Sequence, residues 1–411
     1  MCGKHLLLTW RKKIQNFPYV NSQTQMNDKK NFNGKFKWIM KEITSKEYYN
    51  KVYGSWIGRV AGDFVGAPLE LRPIKTIQRR YGEIRDFPKK INLNYVNDDE
   101  MYEIIALISL EKYGLDLTAK DIALEWVILL KYDKAVSTAE KVALNNIRSN
   151  IFPPKSGTYN NPYFDFIGAQ MRADIWGQIA PGCPDIVMHY CVMDGSISHA
   201  GIGIEGEVFV ALLISNAFFE NDIRENIDQA LTFLPNENGS LYTKTIIKAI
   251  NLYEQNPDDF RKAREILINE HWTRVKEELI NKEPTSETER VSILKGMESK
   301  VHVLPNIGII ILSLLYGAQD REDPLGRSIC VAAMMGYDTD CNCGNIGAIL
   351  GAKLGADTIP SKWSEPLQDT FSTYVKGHEK WKISELARRI ANVGENLIEN
   401  RGKNIVKMIK D

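Results

Sequence analysis

The sequence predicts an all-α fold built from many helices. Apolar residues recur at helical spacing in nearly every segment after residue 48, and no segment shows a convincing strand alternation or β-hairpin turn. Clusters of proline, glycine and asparagine separate the periodic segments, as in PPKSGTYNNP at 153–162 and LPNENGS at 234–240. The chain has 411 residues and no repeat of fixed period. We therefore predict one all-α domain over residues 46–411.

The helical segments follow a polar N-terminal stretch. Residues 1–45 are rich in Lys, Asn and Gln and have no sustained period, so we predict a poorly ordered N-terminal extension there. Each later helix is predicted where apolar residues return every three or four positions between two breakers. The predicted helices, in order, cover residues 51–66, 100–114, 119–131, 137–150, 206–219, 226–234, 242–254, 257–278, 305–316, 325–335, 345–354 and 384–400.

Charge and cysteine usage narrow the class of protein. The 52 basic and 52 acidic residues cancel, which argues against nucleic acid as the main partner. Six scattered cysteines do not form a disulfide framework in a chain of this length, so we expect a reduced, cytoplasmic setting. No apolar run approaches the ~20 residues that span a bilayer, and the N-terminus lacks the pattern of a signal peptide. We expect no membrane partner.

Two adjacent aspartates, Asp98 and Asp99, begin one predicted helix in the segment VNDDE (96–100). One interpretation is structural. Asn97 would be the N-cap and Glu100 would complete a capping box, with acidic residues favoured by the helix dipole. The other interpretation is that the two carboxylates form half of a metal site. The segment alone leaves both interpretations open.

A second acidic pair, Asp338 and Asp340, precedes a run of small residues in GYDTDCNCGNIGAILGAKLGA (336–356). Glycines recur there every three or four positions, although each glycine in a helix costs about 0.5–1 kcal/mol relative to alanine. Such a helix gains only if it packs hard against another backbone. We therefore predict a central helix whose N-terminus forms the floor of a cleft, with two carboxylates that must be paired or bound to metal.

The residue types around this pair indicate a hard cation. Oxygen ligands favour Mg²⁺, Mn²⁺ or Ca²⁺, and two acidic pairs brought together would suit two Mg²⁺ ions. The start resembles an EF-hand loop, but Cys343 and Ile349 hold the positions that need Gly and Glu. Cys341 and Cys343 suggest zinc, yet no second Cys or His pair has a suitable spacing.

Several segments together resemble one protein family. They are GSWIGRVAGDFVGAPLE (54–70), VNDDE (96–100), GAQMR (168–172), SISHAGIGIEGEVF (196–209), VHVLPN (301–306) and the 336–356 segment. In this order they resemble the motifs of the ADP-ribosylglycohydrolase family, over most of the chain after residue 48. The resemblance is to the type that includes the enzyme removing ADP-ribose from dinitrogenase reductase.

The resemblance implies a fold, a reaction and a site. The fold would be a compact orthogonal multi-helix bundle. The reaction would be hydrolysis at the anomeric carbon of ADP-ribose, in an ADP-ribosylated protein or a small ADP-ribosyl conjugate, with two Mg²⁺ or Mn²⁺ ions. Either Asp99 or Glu70 would help to deprotonate the water. The implied metal ligands are Asn97, Asp98, Asp99, Asp338 and Asp340, and the implied substrate-binding residues are Gly168, Arg172, His199, Gly201 and Gly203.

Three residues depart from the pattern of the family. Asn97, Glu100 and Cys341 stand where the family usually has Thr. An amide oxygen can replace a hydroxyl ligand, whereas a thiol suits a softer ion than Mg²⁺. Two other residues keep alternatives open: Arg172 could pair with a structural carboxylate or with a diphosphate, and His199 could be a satisfied polar residue in a turn.

The segment GIGIEG (201–206) formally matches the GxGxxG dinucleotide fingerprint. That fingerprint needs a preceding buried strand within a βαβ unit, and the residues before it do not form that pattern. We interpret it as a flexible glycine loop ahead of a helix, whose N–H groups could meet a pyrophosphate.

Two other functions remain open from the sequence. The chain could be a non-catalytic binding or structural protein on the same scaffold, although retention of all four aspartates argues against it. It could also be a hydrolase of another nucleoside or glycoside that uses the same metals.

Overall fold

The computed structural model describes residues 40–130, 136–236, 238–281, 284 and 286–410. Of the predicted extension, residues 1–39 lie outside the described residues. Its last part, Lys41–Thr44, forms a strand, β1, in which the Ile43 side chain is buried. The folded chain therefore includes residues that we placed in the extension.

Helices account for most of the described chain, and the predicted all-α class is confirmed. In the first half they are α1 (Ser45–Gly66), α2 (Ile74–Tyr81), α3 (Asp99–Tyr113), α4 (Ala119–Leu129), α5 (Thr138–Arg148), α6 (Lys155–Thr158), α7 (Gly168–Met171), α8 (Asp174–Ile179), α9 (Pro184–Gly195) and α10 (Ile202–Ala217). In the second half they are α11 (Ile223–Leu231), α12 (Leu241–Gln255), α13 (Phe260–Ile266), α14 (Thr273–Asn281), α15 (Glu287–Glu298), α16 (Val303–Gly317), α17 (Pro324–Met335), α18 (Thr339–Leu354), α19 (Ser361–Ser364) and α20 (Ile383–Leu397).

The described chain also contains four short strands, which form two separate pairs. β1 pairs in parallel with β4 (Val406–Ile409), from Lys41 opposite Val406 to Thr44 opposite Ile409. β2 (Thr370–Ser372) and β3 (Lys380–Lys382) form an antiparallel pair. The sequence analysis missed these strands because each has only three or four residues, too few for an alternating pattern.

Two glycine-lined helices, α1 and α18, form the centre of the fold. Gly54, Gly58, Gly62 and Gly66 recur every four residues on α1, and they face α18 in antiparallel order. A methyl group at Gly54 would lie 2.5 Å from the Gly351 carbonyl oxygen, and one at Gly58 would overlap the backbone of Gly347. The predicted central helix is therefore confirmed, and its small residues allow backbone-to-backbone packing.

The helices around this pair are buried to unequal extents. Every residue of α16 is buried, which fits a helix that is apolar on all sides. α20 is amphipathic and packs one face, including Leu386 and Ile390, against the core. Among the described residues, no helix combines the length and apolar character needed to cross a membrane.

We predict that Gly58→Ala destabilises the chain by about 1–3 kcal/mol or more. The added methyl group overlaps the Gly347 backbone, and overpacking of this kind outweighs the gain in helix propensity of about 1 kcal/mol. Urea unfolding followed by circular dichroism measures the effect. Gly239→Ala is the control, because its methyl group would meet nothing closer than 3.5 Å. Equal stability of both variants would contradict the packing.

Candidate active site

The two acidic elements meet at the N-termini of two helices. Asp98 is the N-cap residue of α3, and Asp338 is the N-cap residue of α18. The Asn97 amide donates to Asp340 Oδ2 at 3.3 Å, across 243 positions of sequence. The Cys341 thiol lies 3.4 Å from Asp99 Oδ1, as a donor. Side chains of the two elements are therefore in direct contact.

The capping-box interpretation of the first element is wrong. Asp98, rather than Asn97, is the N-cap residue, and its side chain makes no capping hydrogen bond. Its carboxylate accepts a hydrogen bond from the Ser137 hydroxyl at 3.2 Å. The Asn97 amide oxygen accepts from the Asp98 N–H at 2.8 Å, which leaves one lone pair of that oxygen for a cation. Glu100 is buried in the first turn of α3.

A cavity of about 510 Å³ opens above these helix ends. Six carboxylates and one lysine are among its lining residues, so its wall is strongly acidic. The carboxylates belong to Glu70, Asp98, Asp99, Glu140, Asp338 and Asp340, and the lysine is Lys300. Uncharged lining residues include Ser137, Phe166, Gly168, Met171 and Cys341. The cavity is large enough for a small organic ligand.

Charge compensation differs between the two acidic pairs. Asp99 Oδ2 accepts from the buried guanidinium of Arg59 at 3.1 Å. Asp338 and Asp340 take part in none of the ion pairs found among the described residues, and Asp340 Oδ1 is buried without a hydrogen-bond partner. Buried charges without a partner are costly, so this side of the cavity has an unmet need for positive charge.

Burial and mutual repulsion raise the pKa values of these carboxyl groups. Burial, then the charge of Asp340, raises the pKa of Asp98 to about 6. The same two causes raise the pKa of Asp338 well above its ordinary value. Partial burial of its carboxyl group, then the charges of Asp340 and Asp98, raise the pKa of Glu70 to about 7. All three shifts thus combine burial with negative charge crowded into one place.

The donor set fits divalent cations. Carboxylate oxygens are the ligands that hard cations prefer, and the two pairs lie on one cavity wall. One oxygen each of Asp338 and Asp340 and the Cys341 sulfur lie within 4.8 Å of one another, close enough to share an ion. The orphaned Asp340 oxygen is the atom whose burial a cation would explain.

The predicted base Glu70 lies at the rim of this cavity on an exposed turn. The turn is held at both sides. The Leu71 N–H donates to the Tyr337 carbonyl at 2.9 Å, and the Lys300 ammonium donates to the Leu71 carbonyl at 2.6 Å. Leu71 and Tyr337 both have positive φ, at 54° and 74°, which is unusual for residues other than glycine. The tight approach of the two segments holds Glu70 over the acidic floor.

Arg59 supports the site from behind, and the sequence analysis did not single it out. Its guanidinium, on α1, contacts Asp99, Asp174 at 3.2 Å and Asp63 at 3.6 Å, and it donates to the Met171 carbonyl at 2.7 Å. A sequence signal existed. An Arg and an Asp four residues apart, inside a helix otherwise lined with glycine and apolar residues, indicate a buried ion pair.

Glu140, on α5, is a second residue of the cavity wall that the sequence analysis missed. Its position three residues after Ser137 is typical of a capping box, so the sequence pattern alone gives no reason to assign it another role. In the structure its carboxylate accepts from Arg172 at 3.1 Å, and burial raises its pKa to about 7. A side chain at Gly168 would collide with Glu140, so glycine there leaves room for the carboxylate.

Of the five predicted substrate-binding residues, one lines the cavity and four do not. Gly168 lines the cavity. Arg172 and His199 are buried behind the wall. Arg172 donates to Asp194 at 2.6 Å, which is the structural pairing left open above, and the Ser198 hydroxyl and His199 Nδ1 lie 2.8 Å apart. Burial and the nearby Arg172 lower the pKa of His199 well below its usual range, so the ring is neutral.

The predicted glycine loop at 201–206 is wrong, because these residues begin helix α10. Gly201 is the N-cap residue with φ of 54°, and Gly203 lies in the first turn. A side chain at Gly203 would collide with the Phe164 carbonyl and crowd the His199 ring. Neither glycine lines the cavity: Gly203 allows close packing, and Gly201 supplies the positive φ before the helix.

Comparison with known proteins identifies the family of the chain. The family model described as ADP-ribosylglycohydrolase matches residues 44–399. This chain belongs to the ADP-ribosylglycohydrolase family. It is accordingly an enzyme of the glycosidic-bond hydrolase type.

Several known proteins resemble the chain along most of its length. ADP-ribosylhydrolase ARH3 of Xenopus tropicalis is 23% identical over 340 residues, which cover 75% of this chain and 89% of that protein. An uncharacterized protein of Archaeoglobus fulgidus is 24% identical over 319 residues, 76% of this chain and 90% of its own length. A solved structure titled ADP-ribosylglycohydrolase-related protein complex aligns with a TM-score of 0.54 and 16% identity, and covers 85% of this chain and 99% of its own. It shows the shared fold.

We predict that the metal-free protein loses stability as pH rises from about 4 to about 7. The pKa values of Asp98 and Glu70 are raised to about 6 and about 7 in the folded chain, so folding favours their protonated forms. That stabilisation is complete below the pKa values of the unfolded chain and is lost as pH passes the folded values. Tm measured in EDTA across this range tests the slope.

Asp340→Asn is the control for this pH dependence. It removes a charge that raises both pKa values, so the fall of Tm with pH should become shallower. A Tm that rises with pH in EDTA, or a slope that is the same in the variant, would contradict the assigned crowding.

Proposed function

We propose that the protein is a metal-dependent hydrolase that cleaves a glycosidic bond at the anomeric carbon of ADP-ribose. The observation that carries the proposal is the convergence of two distant carboxylate pairs on one acidic cavity, with Asp338 and Asp340 uncompensated by any described basic side chain. Membership of the ADP-ribosylglycohydrolase family supports the reaction class. The substrate is an ADP-ribosylated protein or a small ADP-ribosyl conjugate.

The branch of the family bears on the substrate. The segments that carry the resemblance suggested the dinitrogenase-reductase-activating type, whereas the similarity to ADP-ribosylhydrolase ARH3 favours a different branch. Similarity to either branch does not determine the leaving group of the reaction. Nucleic acid and membrane remain excluded from our proposal as partners, and a cytoplasmic location remains our expectation.

The carboxylates would hold two divalent cations. When bound, Mg²⁺ or Mn²⁺ would act as a Lewis acid on ligand oxygens and would orient the substrate. Asp98 and Asp99 hold one side of the site, and Asp338 and Asp340 hold the other. Both oxygens of Asp99 are engaged, Oδ2 by Arg59 and Oδ1 by the Cys341 thiol. This fixed geometry suits Asp99 to a ligand role more than to proton transfer.

Glu70 is the better of the two predicted bases. It is exposed on the turn at the rim, whereas Asp99 is almost fully buried in the cavity wall. Its pKa of about 7 is close to the value at which a general base works best near neutral pH. We propose that Glu70 accepts a proton from the attacking water while positive charge develops at the anomeric carbon, as in other glycosyl hydrolysis.

A non-catalytic role on the same scaffold accounts poorly for this site. Buried carboxylates without partners destabilise a fold, and a scaffold that needs no cation would lose nothing by replacing them. A hydrolase of another nucleoside or glycoside would use the same groups, so the substrate panel below includes such compounds.

We predict that the protein releases ADP-ribose from at least one ADP-ribosyl conjugate in Mg²⁺ or Mn²⁺ and releases none in EDTA. Arginine-linked, serine-linked and small-molecule conjugates are compared by chromatography with an unrelated nucleoside and glycoside. Asp340→Asn should lower kcat/KM on the order of 100-fold or more, because a bound metal contributes several kcal/mol to transition-state stabilisation.

The matched control for this prediction is Asp357→Asn, an exposed aspartate just beyond the end of α18, which should keep full activity. If no conjugate is cleaved in either metal, or if EDTA leaves the rate unchanged, the proposed function is wrong.

We predict that Glu70→Gln lowers kcat by about 10²–10⁴-fold and leaves KM within a few-fold, because a general base contributes that much and the amide keeps the size of the side chain. Steady-state kinetics on the conjugate identified above provide the measurement. Glu277→Gln, on the exposed face of α14, is the matched control. An unchanged kcat in Glu70→Gln would contradict the role of Glu70 as the general base.

A further inference from the structure

Cys341 is the one cysteine among the described residues that lines the cavity. Its position is set by the first turn of α18, between Asp340 and the buried face that packs on α1. Its sulfur and one oxygen each of Asp338 and Asp340 lie within 4.8 Å of one another. The side chain is 5% exposed, so its thiol is not a surface group that meets the site by chance.

A second observation points to a ligand at the same place. Asp340 is 4% exposed, and its Oδ1 has no hydrogen-bond partner. Asp340 Oδ2 accepts only the Asn97 amide, and no described basic side chain forms an ion pair with Asp338 or Asp340. An orphaned buried carboxylate oxygen beside a thiol and a second carboxylate is a set of donors that a cation would satisfy.

The chemistry of this donor set differs from that of an all-oxygen site. Sulfur is a soft ligand that selects transition ions such as Zn²⁺, Fe²⁺ or Co²⁺, and Mg²⁺ has little affinity for it. Two carboxylates with one thiolate therefore favour an ion of intermediate softness. Cys341 is the one cysteine among the cavity's described lining residues. Asp98 and Asp99 offer only oxygen ligands and therefore form a hard-ion site.

We propose that Cys341 is a metal ligand, and that the ion it shares with Asp338 and Asp340 is a divalent transition ion rather than Mg²⁺. The inference rests on the proposed function only in placing a cation in this cavity. On binding, the Cys341 thiol would lose its proton to solvent, and its hydrogen bond to Asp99 Oδ1 would be lost with it.

A structural role for the same thiol predicts a different result. If Cys341 served only to donate its hydrogen bond to Asp99 at 3.4 Å, serine would replace it as a donor and the ion preference would not depend on sulfur. Cys343 provides the comparison. It is buried on the same helix, two residues away, and its thiol donates to the Ile329 carbonyl at 3.2 Å, outside the cluster.

The test uses the full chain, stripped with a chelator and titrated with Co²⁺, in a Cys2→Ser background that removes the N-terminal thiol. We expect a sulfur-to-cobalt charge-transfer band in the near ultraviolet. The band should be lost in Cys341→Ser and kept in Cys343→Ser. Loss of an outer-shell partner alone costs about 10–100-fold in metal affinity, so Cys341→Ser should weaken Co²⁺ binding at least tenfold, with Mg²⁺ binding within about twofold.

The spectrum separates this inference from the proposed function. A wild-type protein without the band, or a Cys341→Ser variant that keeps it, overturns the inference even where ADP-ribose is still released in Mg²⁺. A band that depends on Cys341 supports the inference even where no conjugate is cleaved. If Cys341→Ser does not fold, the wild-type spectrum still tests the inference, because a missing charge-transfer band overturns it without the variant.

Discussion

Direct contact between the backbones of α1 and α18 is the constraint on which the rest of the structure depends. Along this contact, Gly58 faces Gly347, Gly54 faces Gly351 and Gly66 faces the backbone of Thr339. No side chain separates the two helices at these points. The N-terminal end of α18, which carries Asp338 and Asp340, is therefore held against the C-terminal end of α1, from which the turn with Glu70 begins.

The same close approach fixes the charges beneath the site. A side chain at Gly344 would collide with Asp63 and crowd Arg59, so glycine there lets the guanidinium reach under α18. Arg59 then compensates Asp99 and Asp174, and it leaves Asp338 and Asp340 without a described cationic partner. Within the acidic cavity, the described residues therefore supply a basic partner for Asp99 and none for Asp338 and Asp340.

The sequence predicted the features that rest on local pattern and missed those that rest on distant contacts. The helical period predicted the fold class, and the glycine spacing of α18 predicted its central position. The helix was predicted only from residue 345, although it begins at Thr339, because the acidic and cysteine residues of its first turns carry no apolar period. Glu140 and Asp98 have the spacing of helix caps, and only the tertiary structure turns them toward the cavity. The loop predicted at Gly201 to Gly206 is helical because small residues there pack closely on Phe164 and Gln170.

We propose that the α1–α18 contact brings two distant carboxylate pairs around shared divalent cations. Anomalous diffraction from crystals of the full chain soaked in Mn²⁺ would locate these ions. Our account predicts Mn²⁺ peaks between the pair Asp98 and Asp99 and the pair Asp338 and Asp340, and their loss in Asp340→Asn. Crystals that bind Mn²⁺ elsewhere only, or at one pair without the other, would contradict it.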